Sequence, residues 1–524
     1  MKKLGVLFIC SILILVVLSC ESQKENNKQT FVYNPFNTAD SSLHKYKVPK
    51  WFRDAKLGIF LHWGVASQTE VSGWYSRWMY YQNDTTGIPD FGKKIYTHHL
   101  KTYGHPSEFG FKDIIPTWKA EKWNPDALVA LFKEAGAKYV VPLAVHHDNF
   151  DNFDSSYQEW NSVNMGPKRD IIGDWAKATR KQGLRFGASS HAGRSWRHHK
   201  MAHKADTHGK YKGIAYDGRQ TRKDGKGTWW EGYNPQELYG ITPGKKPDSL
   251  FLDKWYKRTT ELYDKYDLDL LYFDGIGYQL EDEYRKVIAG FYNTNMAKNK
   301  GELEAVVNIK NPKDPQAVVH DFEKGVAENI IKHAWQTDTP LSTWYYVKKK
   351  TEIKKPAPVI VDMLVDIVSK NGNLLLNVAL KGDGTLDKEQ TNELKKIGEW
   401  LSVSGEAIYG TRPWKIYGEG PTKAIEGHYK EFTKEDKPYT NEDIRFTTKE
   451  GILYAIALDL PLDQTILVKS LATNSDLINK KIENVRILGD DNPLIWEQNE
   501  NGLAIQLVDE APCEYALAFK IEFK

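Results

Sequence analysis

Several apolar runs in this chain stop on side chains that can do chemistry. Leu57-Gly58-Ile59-Phe60-Leu61 ends on His62, and the run from Lys138 to Val145 ends on His146-His147-Asp148. Leu184 to Ala188 is followed by Ser189-Ser190-His191, and Leu268 to Phe273 by Asp274-Gly275. One such histidine is ordinarily a structural imidazole bonded to a carbonyl, and one such aspartate a cap or turn residue. Histidines and a carboxylate recurring at the ends of separate strands point instead to a site. Two chemistries fit. Three His and an Asp could hold a divalent metal and activate a water. Alternatively, the imidazoles grip the hydroxyls of a sugar while Asp274 attacks its anomeric carbon. The aromatics interleaved with these residues (Trp63, Trp74, Tyr75, Phe150, Trp160) favour the sugar.

The elements that must position these groups alternate. Asn124-Pro125 reads as an N-cap with Pro at the first helical position, opening a helix over Ala127–Ala135 that stops at Gly136. A second helix runs from about Asp170 to Gln182 with Gly183 as its stop, and a third from about Ser249 to Tyr266 feeds the strand before Asp274. Ala305–Ile309 reads as a strand, and Val359–Ser369 as a helix before Asn373-Leu374-Leu375-Leu376-Asn377-Val378. Continuous apolar strands alternating with helices mean βαβ units and a parallel sheet covered on both faces. Polar groups at each strand's C-terminal end favour closure into a barrel, which converges those ends on one mouth. From about Thr411 the pattern becomes short alternating runs between Asn/Asp/Gly/Pro turns, the signature of a β-sandwich. The expected class is α/β: a (β/α)8-like barrel over residues 35–410, ending near Gly410 after a helix Lys388–Ser402, then an all-β sandwich over 411–524.

Length agrees, since 524 residues suit a barrel plus an appended module. With 17 Trp and 28 Tyr the chain is rich in flat apolar surfaces of the kind that line sugar clefts. The formal charge is +3, of which Lys2 and Lys3 belong to the leader, so the remainder carries +1 and nothing suggests a nucleic-acid partner. Lys2-Lys3 precede an apolar run from Leu4 to Leu18, short for a membrane span and right for a signal peptide. That run ends Val17-Leu18-Ser19-Cys20, which resembles a bacterial lipoprotein signal: cleavage after residue 19 and lipid on Cys20. Residues 20–34 then form a polar tether, and the expected location is periplasmic or at the cell surface, with the lipid as the only membrane contact. Cys10 leaves with the leader, so Cys513 has no disulfide partner and no cysteine metal site is possible.

The string Trp51-Phe52-Arg53-Asp54-Ala55-Lys56 with Leu57 to Gly64 resembles the opening strand of the α-L-fucosidases, family 29 of the glycoside hydrolases. So do His146-His147-Asp148-Asn149-Phe150, Trp160-Asn161-Ser162-Val163-Asn164, Gly166-Pro167-Lys168-Arg169-Asp170, Phe273-Asp274-Gly275 and Asn373 to Asn377, in the family's order across about residues 35–415. The resemblance implies a metal-independent, cofactor-free retaining exo-hydrolase acting on an oligosaccharide or polysaccharide. It makes Asp274 the nucleophile and His62, Trp74, His146, His147, His191, Lys310 and Trp344 the substrate-binding residues. The acid/base falls on a variable loop, where Glu302, Glu304, Glu323 and Glu328 compete. Glu323, in His320-Asp321-Phe322-Glu323-Lys324-Gly325, is chosen for its spacing and its flanking aromatic and glycine. Where some relatives carry a Glu after a Trp, this chain has Gln336 after Trp335, which cannot act as an acid.

Two departures bear on specificity. Many relatives hold sugar hydroxyls with a Glu before the Trp that matches Trp74, and here Gly73 stands there. Many place aromatics near the C6 methyl of fucose where Ser189-Ser190-His191 stand here, which predicts tolerance of a C6 hydroxyl and makes an α-L-galactosidase the alternative enzyme. A catalytically silent glycan-binding lipoprotein is the alternative from another class. Arg194 and the basic insert around Arg197–Lys204 read as a solvated loop, or as a rim meeting a sulfated glycan.

Overall fold

The computed structural model describes residues 34–524 apart from 83–89, 241–246, 276–279, 349–352, 354, 432–438, 462 and 508–510. The expected signal peptide, Cys20 and nearly all of the tether lie outside the described residues. Eight parallel strands close into a barrel in sequence order: β1 (Leu57–Leu61), β2 (Tyr139–Val145), β3 (Arg185–Ser190), β4 (Leu270–Phe273), β5 (Val306–Lys310), β6 (Val319–Glu323), β7 (Trp335–Pro340) and β8 (Gly372–Asn377). Closure sets Leu57 against Leu374 and Gly58 against Leu375. Gly58 admits the Tyr139 ring into the barrel, because a Cβ there would lie 2.4 Å from it.

Helices follow most strands, and their starts are the capping signals of the sequence. Asn124, Asp170, Asp248 and Asp387 each accept a backbone N–H of the first turn, opening Pro125–Glu134, Ile171–Lys181, Ser249–Tyr266 and Lys388–Ser404. Glu281–Lys298 follows β4 and Ala357–Ser369 follows β7. No described helix lies between β5 and β6 or between β6 and β7, where loops connect the strands directly. That is why the sequence pattern fades there: alternation with helices is the signal, and these two units have none.

Below the mouth the barrel interior is polar. The Tyr272 hydroxyl donates to Asp321 at 3.2 Å and to Asp338 at 3.0 Å, Gln336 donates its amide to Asp321 at 2.7 Å, and the Tyr139 hydroxyl donates to Gln336 at 2.8 Å. Asp321, Gln336 and Asp338 are fully buried. Burial and the neighbouring Asp338 hold the Asp321 carboxyl well above the usual range.

The C-terminal part is two antiparallel sheets, of five and three strands. Strands β9 (Arg412–Glu419), β10 (Ile444–Lys449), β11 (Ile452–Ala457), β13 (Ile482–Ile487) and β16 (Leu517–Phe523) pair in the order β13-β16-β11-β10-β9. Strands β12 (Thr465–Val468), β14 (Ile495–Asn499) and β15 (Gly502–Gln506) pair as β12-β15-β14. A buried charge cluster joins this part to the barrel: Asp366 accepts from Arg445 of β10 at 2.6 Å and from Lys370 at 2.7 Å. Trp400 of the helix Lys388–Ser404 also donates its indole N–H to the Ala516 carbonyl, at 2.8 Å. Among the described residues no helix is long and apolar enough to cross a membrane, and Cys513 is a free thiol.

Candidate active site

A cavity of about 1490 Å³ opens at the C-terminal ends of the barrel strands. It exceeds the range of roughly 300–1000 Å³ usual for a small-ligand pocket, so it has room beyond a single sugar ring. All the residues expected at the site line it: His62, Trp74, His146, His147, His191, Asp274, Lys310, Glu323 and Trp344.

Lys310, the last residue of β5, is the hub. Its ammonium lies 2.8 Å from Asp274, 3.2 Å from Glu323 and 3.1 Å from Asp338. Two carboxylate oxygens on one ammonium at those distances are no more than about 6 Å apart, next to the roughly 5–5.5 Å of retaining glycosidases. Burial opposes charge on Asp274, but Lys310, His191 and His147 outweigh it and hold the carboxyl well below the usual carboxylate range. Burial likewise opposes charge on Lys310, and Asp274, Asp338 and Glu323 reverse it, keeping the ammonium protonated.

The histidines ring the Asp274 carboxylate. His147 Nε2 lies 3.3 Å and His191 Nδ1 3.5 Å from Asp274 Oδ2, while His147 donates Nδ1–H to the His191 carbonyl at 2.9 Å. His62 donates both its backbone N–H and Nδ1–H to Asn377 Oδ1. Asn377 can only accept there because its amide nitrogen donates to the Thr343 and Trp344 carbonyls. The Nε2 of His62 is therefore an acceptor turned to the cavity. Burial lowers His62 to about 4 and holds His146 and His191 well below the usual imidazole range, so these imidazoles are neutral at pH 7. Ring nitrogens of His146, His147 and His191 lie within 4.8 Å of one another, a donor set with the chemistry of a transition-metal site. The Lys310 ammonium on Asp274 disfavours a second cation there.

The structure corrects several expectations. Of the aromatics expected to favour a sugar, Trp63, Tyr75, Phe150 and Trp160 are core residues, and Trp74 alone reaches the cavity. Strand β3 runs two residues further than expected, to Ser190, and both Ser189 and Ser190 are buried away from the cavity, leaving His191 of that trio. The predicted C6-hydroxyl contact thus loses two of its three groups. The insert around Arg197–Lys204 is not a solvated loop: His198 bonds Ser76, and His199 donates to the Asp148 carbonyl, while Arg197, Lys200 and Lys204 stay exposed. Arg194 does line the mouth. A Cβ on Gly73 would lie 2.3 Å from the Tyr345 ring, so Tyr345 occupies the space a Glu would need. Asn377, Tyr345, Asp338 and the pair His428-Tyr429, which line or support the cavity, were not expected there from the sequence. Asn377 sat inside a motif already singled out; the others carried no local signal.

A closed parallel barrel with two carboxylates converging on its mouth, backed by a β-sandwich, is the layout of a glycoside hydrolase. The family model described as Alpha-L-fucosidase matches residues 20–406, and that of the Alpha-L-fucosidase C-terminal domain matches 436–522. Tissue alpha-L-fucosidase of Mus musculus is 28% identical over 497 residues, covering 92% of this chain and 93% of its own length. The Homo sapiens enzyme of that name is 29% identical, covering 92% and 90%. The crystal structure of Thermotoga maritima alpha-fucosidase superposes with a TM-score of 0.69 at 28% identity, covering 93% of this chain and all of that one. The chain belongs to the α-L-fucosidase family.

Proposed function

We propose that this protein is a retaining exo-α-L-fucosidase that removes terminal α-L-fucose from oligosaccharides or polysaccharides. The observation that carries the reading is the shared ammonium, which brings Asp274 and Glu323 to a separation suited to double displacement. The Thermotoga maritima relative has been solved in complex with fucose. In the first step the ionised Asp274 attacks the anomeric carbon while Glu323 gives its proton to the leaving oxygen. In the second, Glu323 takes a proton from water, which attacks the same carbon and frees Asp274. His62, His146, His147 and His191 exchange hydrogen bonds with the sugar hydroxyls, and Trp74 and Trp344 wall the ring. Asp274→Ala is expected to lose nearly all turnover of nitrophenyl α-L-fucoside, with azide restoring part of it by standing in for the carboxylate. A folded variant retaining more than about a tenth of native kcat, when nucleophile removal costs several powers of ten, sinks the assignment.

We further propose that the chain is exported and held at the periplasmic or outer surface by lipid on Cys20, with residues 21–34 as the tether. The support is the Lys2-Lys3, Leu4–Leu18, Cys20 pattern. Cys20→Ser is expected to move the active enzyme from the membrane fraction to the soluble one; unchanged membrane association overturns the anchor.

A further inference from the structure

Glu323 ends a strand that no helix follows, where a free loop would leave the carboxylate loosely placed. A segment from the other domain takes hold of it. Residues 424–431, between β9 and β10, run beside the end of β6 and pair with it backbone to backbone. Glu323 donates its N–H to His428 Nδ1 at 2.9 Å and accepts the Tyr429 N–H on its carbonyl at 2.9 Å. Val326 and Gly427 exchange both backbone bonds, and Lys430 and Glu431 both donate to the Lys324 carbonyl at 3.0 Å. The far end is tied down as well, Glu431 meeting Lys355 at 3.0 Å and accepting from the Thr339 hydroxyl.

Two features go beyond packing. Tyr429 is 64% exposed yet holds φ +57, a left-handed backbone that a non-glycine residue adopts at a cost, and burial does not offset that cost. Burial, and after it the Glu323 carboxyl beside it, raise its phenol above the usual range. His428, with Nδ1 accepting from Glu323, carries its proton on Nε2, a buried donor without a partner in a residue that lines the cavity.

We propose that residues 424–431 form a clamp in which His428 and Tyr429 position Glu323 for proton transfer to the leaving group. Tyr429 also forms the rim against which the sugar on the leaving side rests. The proposal rests on the reading of Glu323 as acid/base. His428 and Tyr429 act through Glu323 and are positioning residues.

The test compares a fucosylated disaccharide, whose leaving group needs protonation, with nitrophenyl α-L-fucoside, whose leaving group does not. The ratio of the two kcat/KM values is measured for the native enzyme, Glu323→Ala, Tyr429→Phe, His428→Leu and His428→Asn. Glu323→Ala is expected to lower the ratio by about a hundredfold, the usual worth of a positioned acid. Tyr429→Phe and His428→Leu are expected to lower it by about tenfold, through kcat rather than KM, as misplacing a catalytic group does. In His428→Asn the Oδ1 can accept the Glu323 N–H as Nδ1 does, and the ratio should return to within about threefold of native. A purely structural segment would lower both substrates together and leave the ratio alone. Ratios unchanged in Tyr429→Phe and His428→Leu, beside a lowered one in Glu323→Ala, overturn the clamp alone. An unchanged ratio in Glu323→Ala overturns the acid/base reading and the clamp's role with it.

Discussion

At the scale of single residues the chemistry hangs on Lys310, which touches three carboxylates. Lys310 is the strongest of the groups that hold Asp274 ionised. Removing it in Lys310→Met raises the pH at which Asp274 takes a proton, so the proposed nucleophile is lost sooner on acidification. The acidic limb of the kcat/KM profile is expected to move up by about one unit or more, the effect usual for a close opposite charge. A limb that stays in place would mean the histidines alone keep Asp274 ionised. His62, His146, His147 and Asp274 were legible in the sequence because each ends an apolar run. Asp321 and Asp338 were not, since a polar residue facing a barrel interior breaks no pattern and its meaning lies in partners on other strands. His428 stands 105 residues from the group it contacts.

Elements were legible where burial is apolar on both faces, as in β1, β2, β4 and β8. Strand β7, Trp-Gln-Thr-Asp-Thr-Pro, is as deeply buried but mostly polar, and it reads as a loop until its hydrogen bonds are seen. Strand β6 mixes His, Asp and Glu with two apolar residues and fails the same way. Between elements, the joint of the domains was invisible in the sequence, because Asp366 of helix Ala357–Ser369 finds Arg445 only in three dimensions. Asp366→Ala leaves Arg445 and Lys370 buried without their shared partner and is expected to cost about 3–5 kcal/mol of stability. Chemical denaturation measures it. A variant as stable as native would show that the two cations find water at the joint.

At the scale of the molecule, much of the imidazole complement is buried neutral. Burial lowers His62, His99 and His199 to about 4 and holds His146, His191 and His198 well below the usual imidazole range. Their folded pKa values lie below the 6.5 of the exposed side chain, so the unfolded chain binds protons that the folded one refuses. That stabilising difference is complete above pH 6.5 and is lost as the pH falls toward 4. Asp148, pushed up to about 7 by burial, works the other way across the same window, as do the raised Asp151, Asp217, Asp264, Asp321 and Asp362, but the lowered histidines, with His203, His320 and His428 added to those named, outnumber them. The melting temperature is expected to be highest near neutrality and to drop between pH 6.5 and 5; a flat profile there would mean that the imidazoles are hydrated. The clamp on Glu323 carries a consequence for how the enzyme is made. Synthesis delivers the last barrel strand with Asn377, but the residues that grip Glu323 come later, after β9 of the second domain. A chain released before them would carry Asp274 but lack the residues proposed to position Glu323.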